Sequence, residues 1–140
     1  MTNSIVQRSL AAAGVAIFMS GLLPGAASAA EALPQLQCEG LVDPPELEDD
    51  GAVHAEAGAN CSRRVDVVGV RVWLQKYDDE EWKEVAKGSG RKENVDGGEA
   101  HTKVRCKSGQ YRTVATFYAR HGKYTYQNRG VSWPVRIHCR

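Results

Sequence analysis

The feature that most constrains this chain is strict alternation of residue character in its C-terminal half. Ala100, Thr102, Val104 and Cys106 alternate with His101, Lys103, Arg105 and Lys107. Tyr111, Thr113, Ala115 and Phe117 alternate with Arg112, Val114, Thr116 and Tyr118, and Val131, Trp133, Val135, Ile137 and Cys139 with Ser132, Pro134, Arg136 and His138. A period of two puts each set on one face of a strand. Pro134 cannot donate to a ladder, which predicts a sheet edge for the last strand. Upstream, Val65–Tyr77 is the strongest strand, with a parity change near Val68-Gly69 that predicts a bulge. Asp78–Glu81 turn the chain into Trp82–Lys87, and Gly88-Ser89-Gly90 and Asp96-Gly97-Gly98 bracket a predicted loop. Val53, Ala55, Ala57, Ala59 and Cys61 share one parity, and a first strand opens at Leu36 and Cys38 and ends at Asp43-Pro44-Pro45. No long amphipathic helix is present, so the expectation is an all-β domain of seven short strands.

The N-terminus reads as an export signal. Met1–Ser9 is short with one cation, Arg8; Leu10–Leu23 is uncharged and apolar; Pro24-Gly25 break the run; and Ala27-Ser28-Ala29 offers a small-x-small cleavage site. The apolar run is too short to span a bilayer, which takes about 20 residues. The expected organisation is a cleaved signal peptide, 1–29, and one domain, 30–140, acting outside the cell. The mature part has four cysteines, Cys38, Cys61, Cys106 and Cys139, and no close C-x-x-C pair. An even count in a small exported domain predicts two disulfides rather than a metal centre.

Ser108-Gly109-Gln110-Tyr111 opens the sixth strand much like the tyrosine corner of Greek-key sandwiches. On this turn and the strand pattern the chain resembles the immunoglobulin/fibronectin-type β-sandwich group, and the small exported sandwiches of high-GC bacteria. The resemblance implies a seven-strand, immunoglobulin-like Greek-key sandwich. Antibody-type domains place a cysteine two residues after the tyrosine, where this chain has Thr113, so their inter-sheet bridge is not carried over. Four cysteines allow three pairings. If consecutive strands alternate in direction, Cys38 and Cys61 meet at one end of a sandwich and Cys106 and Cys139 at the other. Both alternatives join opposite ends, well beyond the roughly 4.4–6.8 Å Cα separation of a disulfide.

Charge is distributed unevenly. Residues 31–60 hold eight acids and no Lys or Arg, and residues 101–140 hold nine bases and no acid. On the sandwich, one end gathers Arg63, Arg64, Arg91, Lys92, Arg120, Lys123, Tyr124, Tyr126 and Arg129. The other gathers Asp43, Glu46, Glu48, Asp49, Asp50 and Asp78–Glu81. The basic, tyrosine-bearing end is the candidate binding site, suited to an acidic protein, an anionic cell-surface polymer or a nucleic acid. The acidic end offers oxygen ligands for calcium but lacks EF-hand spacing, so no metal site is assigned. No GxSxG, HExxH or phosphate-cradling glycine loop occurs, so neither catalysis nor a cofactor is expected. Trp73 and Trp82 on the central hairpin, with Trp133, read as core or cross-strand packing. The function read from sequence is non-catalytic binding. An inhibitor of a secreted hydrolase and a small-ligand carrier stand as alternatives.

Overall fold

The computed structural model describes residues 36–140. The expected export segment and the start of the domain at residue 30 lie outside the described residues. Seven strands follow in order: β1 (Cys38–Val42), β2 (Glu46–Leu47), β3 (Ala52–Asp78), β4 (Glu81–Arg105), β5 (Gly109–His121), β6 (Tyr124–Val131) and β7 (Val135–Ile137). The all-β expectation holds. Every strand belongs to one antiparallel sheet with the path β1-β3-β5-β6, while β2 and β4 also pair with β3 and β7 pairs with β5.

The strand boundaries depart from the sequence expectation in a systematic way. The two strands expected at 53–61 and 65–77 are one strand, β3, of 27 residues. Its partner β4 runs for 25 residues and absorbs the expected loop between Gly88 and Gly98. Its expected neighbour 131–139 is divided, with β6 ending at Val131 and β7 starting only after Pro134. Residues 124–129, expected in the loop before the last strand, form strand β6 together with Gly130 and Val131, hydrogen-bonded to β5 from His121↔Tyr124 to Val114↔Val131. Long β3–β4 pairing wins over the glycines because a partner strand satisfies every backbone group that a loop would leave to water.

The long hairpin bends where Cys61–Arg64 of β3 oppose the single residue Asp96 of β4, between the pairs Asn60↔Gly97 and Val65↔Val95. A second irregularity leaves Val85 unpaired between Leu74↔Ala86 and Gln75↔Glu84. The bulge expected at Val68-Gly69 is absent, because pairing with β4 and β5 continues unbroken across Val67, Val68 and Gly69. Burial still changes parity there. Val68 faces the core, while Val67 on the outer face is also buried, in a cross-strand row between Glu93 and Arg120.

Bending curls the sheet until its two halves share one core. Val53, Ala55, Ala57 and Ala59 come from one half, and Val68, Val70, Val72, Leu74, Tyr111, Ala115, Phe117 and Ala119 from the other. Small alanines on one side accommodate the larger residues opposite, which keeps the core close-packed. Glycine closes both margins of the curl. A Cβ on Gly130 would come within 2.6 Å of Val42 Cγ2, and one on Gly40 would strike the Phe117 ring. On the other margin, a Cβ on Gly88 or Gly90 would collide with the carbonyl oxygens of His101 and Glu99, residues of the same strand. β4 therefore doubles back against itself, and only glycine allows that approach.

Both expected disulfides form, Cys38–Cys61 and Cys106–Cys139. Cys38 and Cys61 are direct register partners of β1 and β3. The tyrosine corner forms as well. The Tyr111 hydroxyl, buried at the start of β5, donates to the Lys107 carbonyl at 2.6 Å and accepts from the Lys107 amide at 3.3 Å. Burial raises the Tyr111 pKa, which keeps the phenol protonated as a donor.

Candidate functional site

The curl gives the sheet two outer faces, and the charge separates between them. On the half built by Val65–Tyr77 of β3, the N-terminal part of β4, β5 and β6, core residues alternate with outward ones. Register aligns the outward residues in rows. One row reads Arg91, Gly69, Tyr118, Gln127; the next reads Ser89, Arg71, Thr116, Arg129; the next reads Lys87, Trp73, Val114, Val131. Arg112 lies beyond, paired with Gln75, and Arg120 before, paired with Val67. This face thus carries Arg71, Lys87, Arg91, Arg112, Arg120 and Arg129 against Glu84 and Glu93.

The opposite face, on Ala52–Asn60 of β3 and the C-terminal part of β4, carries Glu46, Glu56 and Glu99 with His54 and His101. Lys103 and Arg105 are its bases. Lys103 is tied to Asp50 at 3.2 Å. Asp50 also accepts from the Ala52 amide at 2.9 Å and lies 2.8 Å from His54 Nε2. Those contacts, the Ala52 amide foremost, lower the Asp50 pKa to about 2.

A groove of about 810 Å³ runs across the basic face. Arg71, Arg91 and Arg129 line it with Tyr118, Ser89, Thr116 and Gln127. Arg91 is bound by Glu93 at 2.9 Å, whereas no ion pair to Arg71 or Arg129 exists among the described residues. Next to the groove, the Arg112 guanidinium lies 4.4 Å from the centre of the Trp82 ring, and Tyr77 packs on the other arm at 5.3 Å. Partial burial and the nearby Arg129 charge lower the Arg112 pKa, in that order. Guanidiniums with free donors and unpaired charge fit phosphate, sulfate or carboxylate oxygens bidentately.

The residues expected at one basic end divide among several places. Arg91, Arg120 and Arg129 join the basic face. Arg63 and Arg64 sit exposed in the bend of β3. Lys92 pairs with Val68 on the core-facing parity and is exposed at the open rim. Lys123 closes the β5–β6 turn with its ammonium 5.5 Å from the Tyr124 ring centre. Tyr126, half-buried, packs against the core through its parity with Ala119 and so does not join the basic outer face. Asp66 fixes this turn by accepting from the Gly122 amide at 2.7 Å. Sequence reading missed Arg71, Arg112, Tyr118 and Gly69. Its best available signal was parity: Arg71 and Trp73 interleave with the apolar Val70 and Val72. Trp82 packs across the hairpin on Tyr77 as expected; Trp73 lies half-buried on the outer face in register with Lys87 and Val114, and Trp133 is 70% exposed and belongs to no core.

At the expected acidic end a few cations meet the carboxylates. Lys83 binds Asp79 at 2.9 Å and Asp78 at 3.7 Å, and Arg140 approaches Asp49 at 3.9 Å. The potential metal ligands that converge among the described residues are instead on the acidic face. Glu56, Glu99 and His101 hold ligand atoms within 4.8 Å of one another, all on exposed side chains. Imidazole with two carboxylates is a donor set that suits a divalent transition metal. Among the described residues no helix is long and apolar enough to cross a membrane.

No family model matches the chain, and no curated protein does. Among solved structures it is similar to wild-type OgpA from Akkermansia muciniphila in two crystal forms. The TM-scores are 0.34 and 0.31, at 10% and 13% identity. These likenesses cover 74% and 66% of this chain but 30% and 28% of OgpA, so the chain spans less than a third of that protein's length. At such scores the likeness carries no inference about function.

Proposed function

We propose that this is an exported, non-catalytic binding protein on an immunoglobulin-like scaffold, and that its basic outer face binds an anionic polymer. The observation that supports the binding reading is the register of the sheet. Four strands bring Arg71, Arg91, Arg112 and Arg129 to one surface, and among the described residues no carboxylate pairs with Arg71 or Arg129. A β-sheet fixes such charges at strand spacings of about 4.8 Å, so little ordering is needed on binding. Export is supported by the two disulfides and by the signal-like N-terminus.

The test is a binding isotherm with a soluble polyanion at several salt concentrations. Binding carried by this face loses affinity steeply as salt rises, with a log–log slope near 0.7–0.9 per neutralised phosphate. Replacing Arg71 and Arg129 with alanine lowers that slope by about 1.4–1.8. A slope that stays flat, or that the double variant leaves unchanged, removes the basic face from the account.

A further inference from the structure

The basic face holds one residue that electrostatics does not explain. Gly69 lies mid-strand in β3, on the outer face, between Arg91 and Tyr118. Glycine weakens a strand interior unless a turn or a close approach requires it. Neither requirement comes from the fold. The residue does not have a positive φ, and a Cβ built there meets nothing nearer than the Tyr118 Cβ at 4.0 Å, an ordinary contact. Gly40, Gly88, Gly90 and Gly130 differ, since a side chain there would collide with the protein itself. Gly58 has similar freedom, but it faces Leu41 and Glu99 on the acidic side.

Gly69 leaves a notch beside Tyr118, a half-buried residue lining the groove, and Arg71, Arg91 and Arg129 surround the notch. A flat ring entering it would stack against Tyr118 while the guanidiniums reach its charged neighbours. Proteins that take single-stranded nucleic acid combine a basic track for the backbone with an aromatic platform for the bases in this way. We propose that the groove takes single-stranded nucleic acid, one base lying in the Gly69 notch on Tyr118 and adjacent phosphates meeting Arg71, Arg91 and Arg129. This proposal rests on the reading of the basic face as a polyanion site, and it adds the ring.

Titrating the full chain with a labelled short oligothymidylate and with linear polyphosphate of matched charge separates the two. The proposal expects the oligonucleotide to bind about tenfold more tightly, the effect of one stacked base. Gly69→Val fills the notch, its Cβ meeting nothing nearer than the Tyr118 Cβ at 4.0 Å, and Tyr118→Leu removes the platform. Each should erase that tenfold preference, read as the ratio of the two affinities in the same variant. Equal affinity of the wild-type chain for both ligands, or a preference that survives both substitutions, overturns the nucleic-acid proposal while the polyanion site stands. Binding of neither ligand overturns both. Arg71→Ala is the control, expected to weaken both ligands alike.

Discussion

The two outer faces share the long strands β3 and β4, yet they differ in charge and in how their charges are paired. On the acidic face, Lys103 and His54 converge on Asp50, and His101 lies 3.6 Å from Glu56 and 3.5 Å from Glu99. On the basic face, no carboxylate among the described residues pairs with Arg71 or Arg129, and Arg112 lies over an aromatic ring. A charge that already holds a partner, as Asp50 holds Lys103, gains little from a charged ligand, because the ligand must displace that partner. A face of unpaired, like charges repels itself and is relieved by an anion. This difference in charge pairing is why the proposed ligand is placed on the basic face.

The largest test of this arrangement concerns what keeps the faces back to back. Gly88 lets β4 double against His101, and an alanine there must push the two halves of the sheet apart. We expect Gly88→Ala to cost about 3 kcal/mol in chemical denaturation, at the upper end of overpacking effects. Gly69→Ala, on the open face, should change stability by less than about 1 kcal/mol and in the stabilising direction. Equal costs at the two positions would mean that the doubled β4 is not a close-packed contact.

Binding sharpens the comparison next. Neutralising Arg71 and Arg129 should weaken polyanion binding by at least tenfold at moderate salt, whereas Glu56→Gln with Glu99→Gln should strengthen it by less than about threefold through the long-range field. Surface plasmon resonance on both double variants measures the contrast. Comparable losses from both would place the ligand across the faces rather than on one.

Smaller effects test the framework that carries the faces. Asp79 and Glu80 form the two-residue turn between β3 and β4 with φ of 51° and 66°, a left-handed geometry that glycine adopts at less cost. Glu80→Gly should therefore stabilise the protein by about 1 kcal/mol in thermal unfolding. The smallest expected effect is on acid stability. Asp50 has a folded-state pKa depressed from 3.8 to about 2, so its contribution is present above about pH 4 and is lost as pH falls toward 2. In Asp50→Asn, the decline in melting temperature between pH 4 and 2 should be shallower than in the wild-type chain. A decline of the same steepness would show that Asp50 does not anchor the Ala52–His54–Lys103 cluster.

Much of the core was legible because burial in a strand follows parity. Val53, Ala55, Val70, Val72, Ala115 and Phe117 all point inward as their alternation requires. The disulfides were legible because strand direction fixes which ends meet. Strand length was not. Gly88, Gly90, Gly97 and Gly98 read locally as loop, and only tertiary approaches explain glycine inside the strand: β4 to itself at Gly88 and Gly90, and β4 to Ala59, Asn60 and Val68 of β3 at Gly97 and Gly98. That misreading propagated to the site. With residues 88–98 and 120–129 taken as loops, their charges were assigned to an end of the molecule. As strands, the same residues divide by parity, sending Arg129 outward and Tyr126 inward. Arg71, on a strand that was read as a strand, was overlooked because an outward arginine opposite a valine core is ordinary in isolation. Its meaning comes from the non-local row it shares with Ser89, Thr116 and Arg129.

The most direct test of the central claim is a chemical-shift map of the full chain titrated with a polyanion. The account predicts that amide perturbations concentrate at Gly69, Arg71, Arg91, Thr116, Tyr118 and Arg129. His54, Glu56, Glu99 and His101 should remain unmoved. Perturbations centred on the latter group, or spread evenly over both faces, would contradict it.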